Sequence, residues 1–136
     1  MVGSPSYVLD ASALLCYSQR EPGWERVRDA LLDGAAMGAA NWAEVLSWHV
    51  LRGSDPQVVA LELTNQGLLG QLLHVYPLDD LLARETAHLH RLTRSAGLSL
   101  ADRSCLALGR HLRRPILTTD RAWKKLHLGV KIEVLR

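Results

Sequence analysis

The sequence is short of cysteine, of unbalanced charge and of long apolar runs, and each shortage removes a class of protein. Only two cysteines occur in 136 residues, Cys16 and Cys105, inside apolar stretches and without C-x-x-C spacing. They read as buried thiols in a reducing compartment, not as a disulfide framework or a zinc site. No run of about 18 apolar residues occurs, so nothing reads as a membrane span. The start, MVGSPSY, lacks the basic-then-apolar pattern of a secretory signal, and the expected compartment is the cytoplasm. The formal charge is +2, too mild by itself to announce a nucleic-acid binder, although Arg110, Arg113 and Arg114 form a local basic cluster. Internal repeats, linkers and low-complexity segments are also missing.

What is present is a globular composition, 48% hydrophobic and 22% charged, in a chain long enough to bury its own core. A single domain over residues 1–136 is expected. Hydrophobic spacing predicts strands at Tyr7–Leu9, Ala35–Ala40, Leu72–Tyr76, Pro115–Leu117 and Val130–Leu135. Helices are predicted at Ala11–Tyr17, Gly23–Leu32, Ala43–Leu51, from Pro56 to about Leu63 or Gln66, at Asp80–Arg94 and at Ser99–Arg110, with a short one at Arg121–Leu126. Asp33-Gly34 reads as a helix stop and Ser54-Asp55-Pro56 as a helix start. Short strands alternating with helices predict a parallel α/β sheet covered on both faces, with ligands at the carboxyl ends of the strands.

Four acids stand where such a fold binds ligands. Asp10 ends VLD-ASALL after the first strand, Glu44 lies in NWAEVL after the second, Asp102 in SLADRSCLAL opens a helix, and Asp120 in ILTTDRAW follows a later strand. Each has a structural explanation. Asp10 and Asp120 could cap the helices they precede, and Asn41 with Glu44, or Ser99 with Asp102, has the spacing of a capping box. Negative charge at a helix start is favoured in any case. Together the four point further. Carboxylates converging on one sheet edge repel one another unless cations neutralise them, and hard oxygen ligands suit Mg²⁺ or Mn²⁺. A metal held there could activate water and neutralise a phosphate, the requirements of phosphodiester hydrolysis.

In this order, VLDASALL, NWAEVL, GLSLADRSCLALGRHL and ILTTDRAW resemble the motifs of the PIN-domain VapC toxins, over nearly the whole chain. The resemblance implies a PIN-like three-layer α/β/α sandwich with a short, mainly parallel central sheet. It implies that Asp10, Glu44, Asp102 and Asp120 form the family's metal-binding, catalytic quartet, the first three holding Mg²⁺ or Mn²⁺ most directly. Ser12 and Thr119 occupy the family's small hydroxyl positions, and Asn41 a position that is often polar; capping is the role expected of Asn41. The activity implied is endonucleolytic cleavage of RNA (tRNA, ribosomal RNA or message) by metal-activated water, leaving 5′-phosphate and 3′-hydroxyl ends. The partners implied are a VapB-type antitoxin and a second copy of the chain, a homodimer within a larger toxin–antitoxin complex.

Other functions remain open on the residues alone. A phosphatase using a nucleophilic aspartate needs a second acid two residues on, where this chain has Ser12. A non-catalytic RNA- or protein-binding PIN module would tolerate loss of quartet acids, and all four remain. A histidine-based ribonuclease would leave cyclic phosphates, but the six histidines include no pair beside the acidic motifs at ligand spacing. Trp24, Trp42, Trp48 and Trp123 could stack bases, though their spacing suits core or interface packing, and an exposed Trp24 would favour a partner surface. Arg103 and Arg121 follow quartet acids and are expected in solvent or in salt bridges.

Overall fold

A computed structural model describes residues 4–136; Met1, Val2 and Gly3 of the expected domain lie outside the described residues. Five strands form one sheet: β1 (Tyr7–Leu9), β2 (Ala35–Gly38), β3 (Leu73–Tyr76), β4 (Ile116–Thr118) and β5 (Ile132–Val134). Their order is β3-β2-β1-β4-β5, and every pairing is parallel. The connecting helices are α1 (Ala11–Ser18), α2 (Trp24–Asp33), α3 (Ala39–Val50), α4 (Pro56–Asn65), α5 (Asp80–Leu92) and α6 (Leu100–Leu112), and a short 3₁₀ helix spans Arg121–Lys125.

The layers follow from the two-residue period of the strands. Leu9, Ala35, Met37, Leu73 and Leu117 face one core with Ala13 and Leu14 of α1, Val27, Ala30 and Leu31 of α2, and Val45 of α3. Their neighbours Val8, Ala36 and Ile116 face a second core with Leu82 and Leu89 of α5, Cys105 to Leu108 of α6, and Trp123. Helices therefore cover both faces, the three-layer architecture expected. On the second face α6 lies so close to β4 that a Cβ at Gly109 would run into the Ile116 side chain.

Several boundaries follow the sequence signals. Gly34 ends α2 at φ 97°, and Asp55 caps α4 by accepting from the Gln57 N–H at 2.7 Å with Pro56 next in line. Most other ends fall within a residue or two of expectation, and the largest difference lies between β2 and α3. The strand expected to reach Ala40 stops at Gly38, and α3 begins at Ala39 instead of Ala43. Ala39 and Ala40 are good helix formers, and α3 starts from an extended Gly38 without any side-chain cap.

Both cysteines are buried and unpaired. Among the described residues, no helix is long and apolar enough to cross a membrane.

Strand order reverses at β1. The chain proceeds to β2 and β3 on one side, then crosses to β4 and β5 on the other. Parallel sheets bind ligands at such a switch point, outside the carboxyl ends of the strands. Asp10 follows β1 there, and Asp120 follows β4.

Candidate active site

Asp10 is where β1 stops and α1 starts, so one side chain serves both. Its Oδ1 accepts from the Ala13 N–H at 2.8 Å and from the Ser12 hydroxyl at 2.7 Å, which caps the helix. Its Oδ2 accepts from the Thr118 hydroxyl at 2.5 Å. The residue is 5% exposed. Burial pushes its carboxyl up to about 6, against the hydrogen bonds from Thr118, Ser12 and Ala13, and the nearby Asp102 charge adds to the rise.

That shift predicts an unusual pH profile for the metal-free protein. Between the ordinary value of 3.8 and about 6, the folded chain keeps a proton on Asp10 that the unfolded chain has lost. The unfolded state binds fewer protons in this window, so Asp10 lowers stability as pH rises through it, by about 3 kcal/mol at most. Above about pH 6 the penalty is complete, and below about pH 4 it is absent. Melting wild type and Asp10→Asn side by side in EDTA at pH 4.5 and 7.5 isolates this contribution. The variant should gain several degrees on wild type at pH 7.5 and clearly less at pH 4.5, where the penalty is only partly developed; equal differences at both would contradict the shift.

The other acids are reached from separate elements. Glu44, on the second turn of α3, accepts from the Asn41 side-chain amide at 3.2 Å. Asp102, on the first turn of α6, forms a capping box with Ser99, each accepting from the other's backbone N–H at 3.1 Å. Asp120 caps the 3₁₀ helix by accepting from the Ala122 N–H at 2.9 Å, while its own N–H donates to the Thr118 hydroxyl at 3.1 Å. Capping and convergence thus coexist. All four carboxylates line one cleft of about 600 Å³, with Ala11, Ser12, Leu15, Ala43, Ser47, Trp48 and Leu51. Among the described residues, no lysine, arginine or histidine lines it. Beneath it lies Cys105, whose thiol is pushed up by burial and further by the charges of Asp10, Asp102 and Glu44.

The supporting residues depart from expectation in two places. Asn41 does not cap α3. It lies inside the first turn, 1% exposed, because α3 starts earlier than its polar side chain suggests. Its amide donates to Glu44 and to the Ala101 carbonyl at 3.3 Å, tying α3 to the start of α6. At the end of β4, the hydroxyl that reaches Asp10 belongs to Thr118, which sequence reasoning missed. Thr119 contributes its backbone N–H, donated to the Ser12 hydroxyl at 3.0 Å. The only signal for Thr118 was the strand's alternation, which permits just one of two adjacent hydroxyls to point at the site.

Other tempting residues lie elsewhere. Arg103 turns to α5, donating to the Thr86 carbonyl at 3.5 Å, and Arg121 donates to the Arg136 carbonyl at 3.0 Å. His88 and His111 border a groove between α5 and α6. Trp24 is half-buried, with the Arg20 and Arg28 guanidinium groups 4.2 and 5.4 Å from its ring.

The donor set fits a hard divalent cation in kind: four carboxylates, hydroxyl neighbours and no basic side chain to neutralise them. The buried Asp10, held by three hydrogen bonds, would be a preset ligand for such an ion. Among the described residues no three His, Cys, Asp or Glu side chains stand close enough to grip an ion as they are. One oxygen of Glu44, Asp102 and Asp120 accepts from an internal N–H, while Asp10 accepts at Oδ1 from the Ala13 N–H and the Ser12 hydroxyl and at Oδ2 from the Thr118 hydroxyl. Glu44 and Asp120 are exposed.

Residues 7–127 match the family model described as PIN domain. The chain belongs to the PIN-domain family. Solved structures agree on the fold of this PIN domain at low identity. A chain of a toxin–antitoxin complex from Klebsiella pneumoniae is 15% identical, with 93% of this chain and 100% of that one covered and a TM-score of 0.69. A chain of FitAcB from Neisseria gonorrhoeae is 21% identical, covering 93% and 95%, with a TM-score of 0.65. VapC20 from Mycobacterium tuberculosis, a Sarcin-Ricin loop cleaving toxin, is 11% identical, covering 93% and 99%, with a TM-score of 0.67. A search of curated protein sequences finds no match.

Proposed function

We propose that this PIN domain is a metal-dependent endoribonuclease, the toxin component of a type II toxin–antitoxin pair. The observation that carries the enzymatic part is the meeting of Asp10, Glu44, Asp102 and Asp120 in one cleft without a basic side chain. Such a cleft repels RNA phosphate unless it is loaded with cations, so binding and catalysis share one requirement. Asp10, Asp102 and Glu44 would hold Mg²⁺ or Mn²⁺ most directly, with Asp120 completing the set. The bound ion supplies an activated water and neutralises charge on the scissile phosphate. Within the chain, Ser12 and Thr118 orient the Asp10 carboxylate, and Asn41 holds that of Glu44. The toxin role draws on the likeness to chains from toxin–antitoxin complexes and to an RNA-cleaving toxin. It brings with it a VapB-type antitoxin, a homodimer within a larger complex, and tRNA, ribosomal RNA or message as substrate.

The test is digestion of total RNA by purified, antitoxin-free protein with Mg²⁺ or Mn²⁺, with product ends mapped. Discrete cuts bearing 5′-phosphates, abolished by EDTA, are expected. The same ions should raise the melting temperature of the unliganded protein. Cutting that survives EDTA and leaves cyclic phosphates would transfer the chemistry to another site.

A further inference from the structure

The acids occupy only part of the cleft. Glu44, Ser47 and Trp48 of α3, with Leu51 just past its end, line the cleft at helical spacing, so the carboxylate end continues into an apolar wall. Leu51 is 84% exposed, and Trp48 is half-buried beside it. The Arg52 guanidinium lies 3.5 Å from the centre of the Trp48 ring and is anchored by donation to the Trp48 carbonyl at 2.9 Å. Trp48 lines the cleft while Arg52 covers one face of its indole, and the His49 ring meets the indole edge-on with centroids 5.0 Å apart. An aromatic ring backed by a cation, opening onto a site for phosphate, has two of the elements that bind single-stranded nucleic acid.

We propose that Trp48 is a stacking platform for one unpaired base of the substrate, next to the scissile phosphate, and that Leu51 forms the shelf beside it. The proposal rests on the ribonuclease reading and adds to it the substrate's local form, a strand with an unstacked base. A duplex keeps its bases inside the helix and cannot offer one to the wall without paying for unstacking. Arg52, already held over the ring, supplies positive charge near the entering backbone where the cleft itself has none. The platform discriminates by π-face and not by hydrogen bonding, so it tolerates any base while demanding that one be present.

Two linked measurements test this. The first is steady-state cleavage of a short unstructured RNA containing a mapped cut site, by wild type, Trp48→Ala and Trp48→Phe. The second is equilibrium binding of the same labelled strand to the Asp10→Asn protein and to its Trp48→Ala derivative, with Mg²⁺ present, as single strand and as duplex. Loss of the platform should weaken KM and Kd about tenfold, with a smaller change in kcat, and phenylalanine should restore most of the loss. Placing an abasic nucleotide at each position around the cut identifies the stacked base. At that position the wild type should lose the same factor, and Trp48→Ala should lose nothing more. Unchanged KM and Kd in Trp48→Ala would overturn the proposal. So would a penalty that persists undiminished on every abasic substrate, which would make the wall a packing or protein-docking surface. Absence of any cleavage by wild type would instead strike the ribonuclease reading, while the binding comparison would still decide whether Trp48 holds a base.

Discussion

Asp10→Asn is expected to lower RNA cleavage more than about 100-fold, beyond the 10- to 100-fold typical of losing a supporting partner of a metal ligand. The substitution is close to isosteric. The asparagine oxygen can still accept from the Ala13 N–H and the Ser12 hydroxyl, so the cap of α1 survives. What disappears is the one carboxylate of the quartet that is buried, and with it the negative charge that a cation would meet there. Folding should not suffer, because the wild-type charge is costly where it stands. Thr118→Val is the comparison. It removes a hydroxyl that touches Asp10 but leaves the carboxylate, and should fall within the 10- to 100-fold range. Cleavage rates and melting temperatures for both variants check the pair of expectations. A wild-type rate in Asp10→Asn would exclude Asp10 from the chemistry.

The largest effect on stability is expected at Trp123. Its ring is fully buried against the core that contains Val8, Leu106 and Ile116, inside the short 3₁₀ helix that Asp120 caps. Truncation to alanine should cost about 3–5 kcal/mol, a large part of the about 5–15 kcal/mol available to a domain. In a chain of this size that corresponds to a fall of roughly 10–20 °C in melting temperature. Trp123→Phe should cost much less, since it keeps a ring in the core and removes an indole N–H that has no partner among the described residues. Thermal denaturation followed by circular dichroism measures both. A fall of only a few degrees for alanine would mean that Trp123 is not the anchor its burial implies.

The legible parts of this protein were those governed by short-range rules. Asp10 could be placed at a strand end because an apolar run stops there and a helical pattern begins, and Ser99 with Asp102 carried a capping box in their spacing alone. The convergence of the four acids was inferable once the strands were taken as parallel, since parallel strands share one carboxyl edge. What escaped depended on three-dimensional packing. Asn41 looks like a helix start, and only the buried contact with Ala101 of a distant helix reveals why a polar amide sits inside one. Thr118 and Thr119 are chemically alike, and the pleat of β4 selects between them. The wall formed by Trp48 and Leu51 was hidden for the same reason. Helical spacing suggested packing, but exposure depends on what the remainder of the chain leaves uncovered.

The pairing of β1 with β4 has a consequence for synthesis. Asp10 meets Thr118 across 108 positions of sequence, and the last carboxylate is supplied only at Asp120. A ribosome releases the chain from its N-terminus, so a growing polypeptide holds Asp10 and Glu44 long before it can assemble the cleft around them. Contacts so distant in sequence also form late and slowly. If the cleft is destructive to RNA, the translating machinery is shielded by order of delivery. On that reading the cleft comes into being only once β4 and the turn that carries Asp120 have left the tunnel.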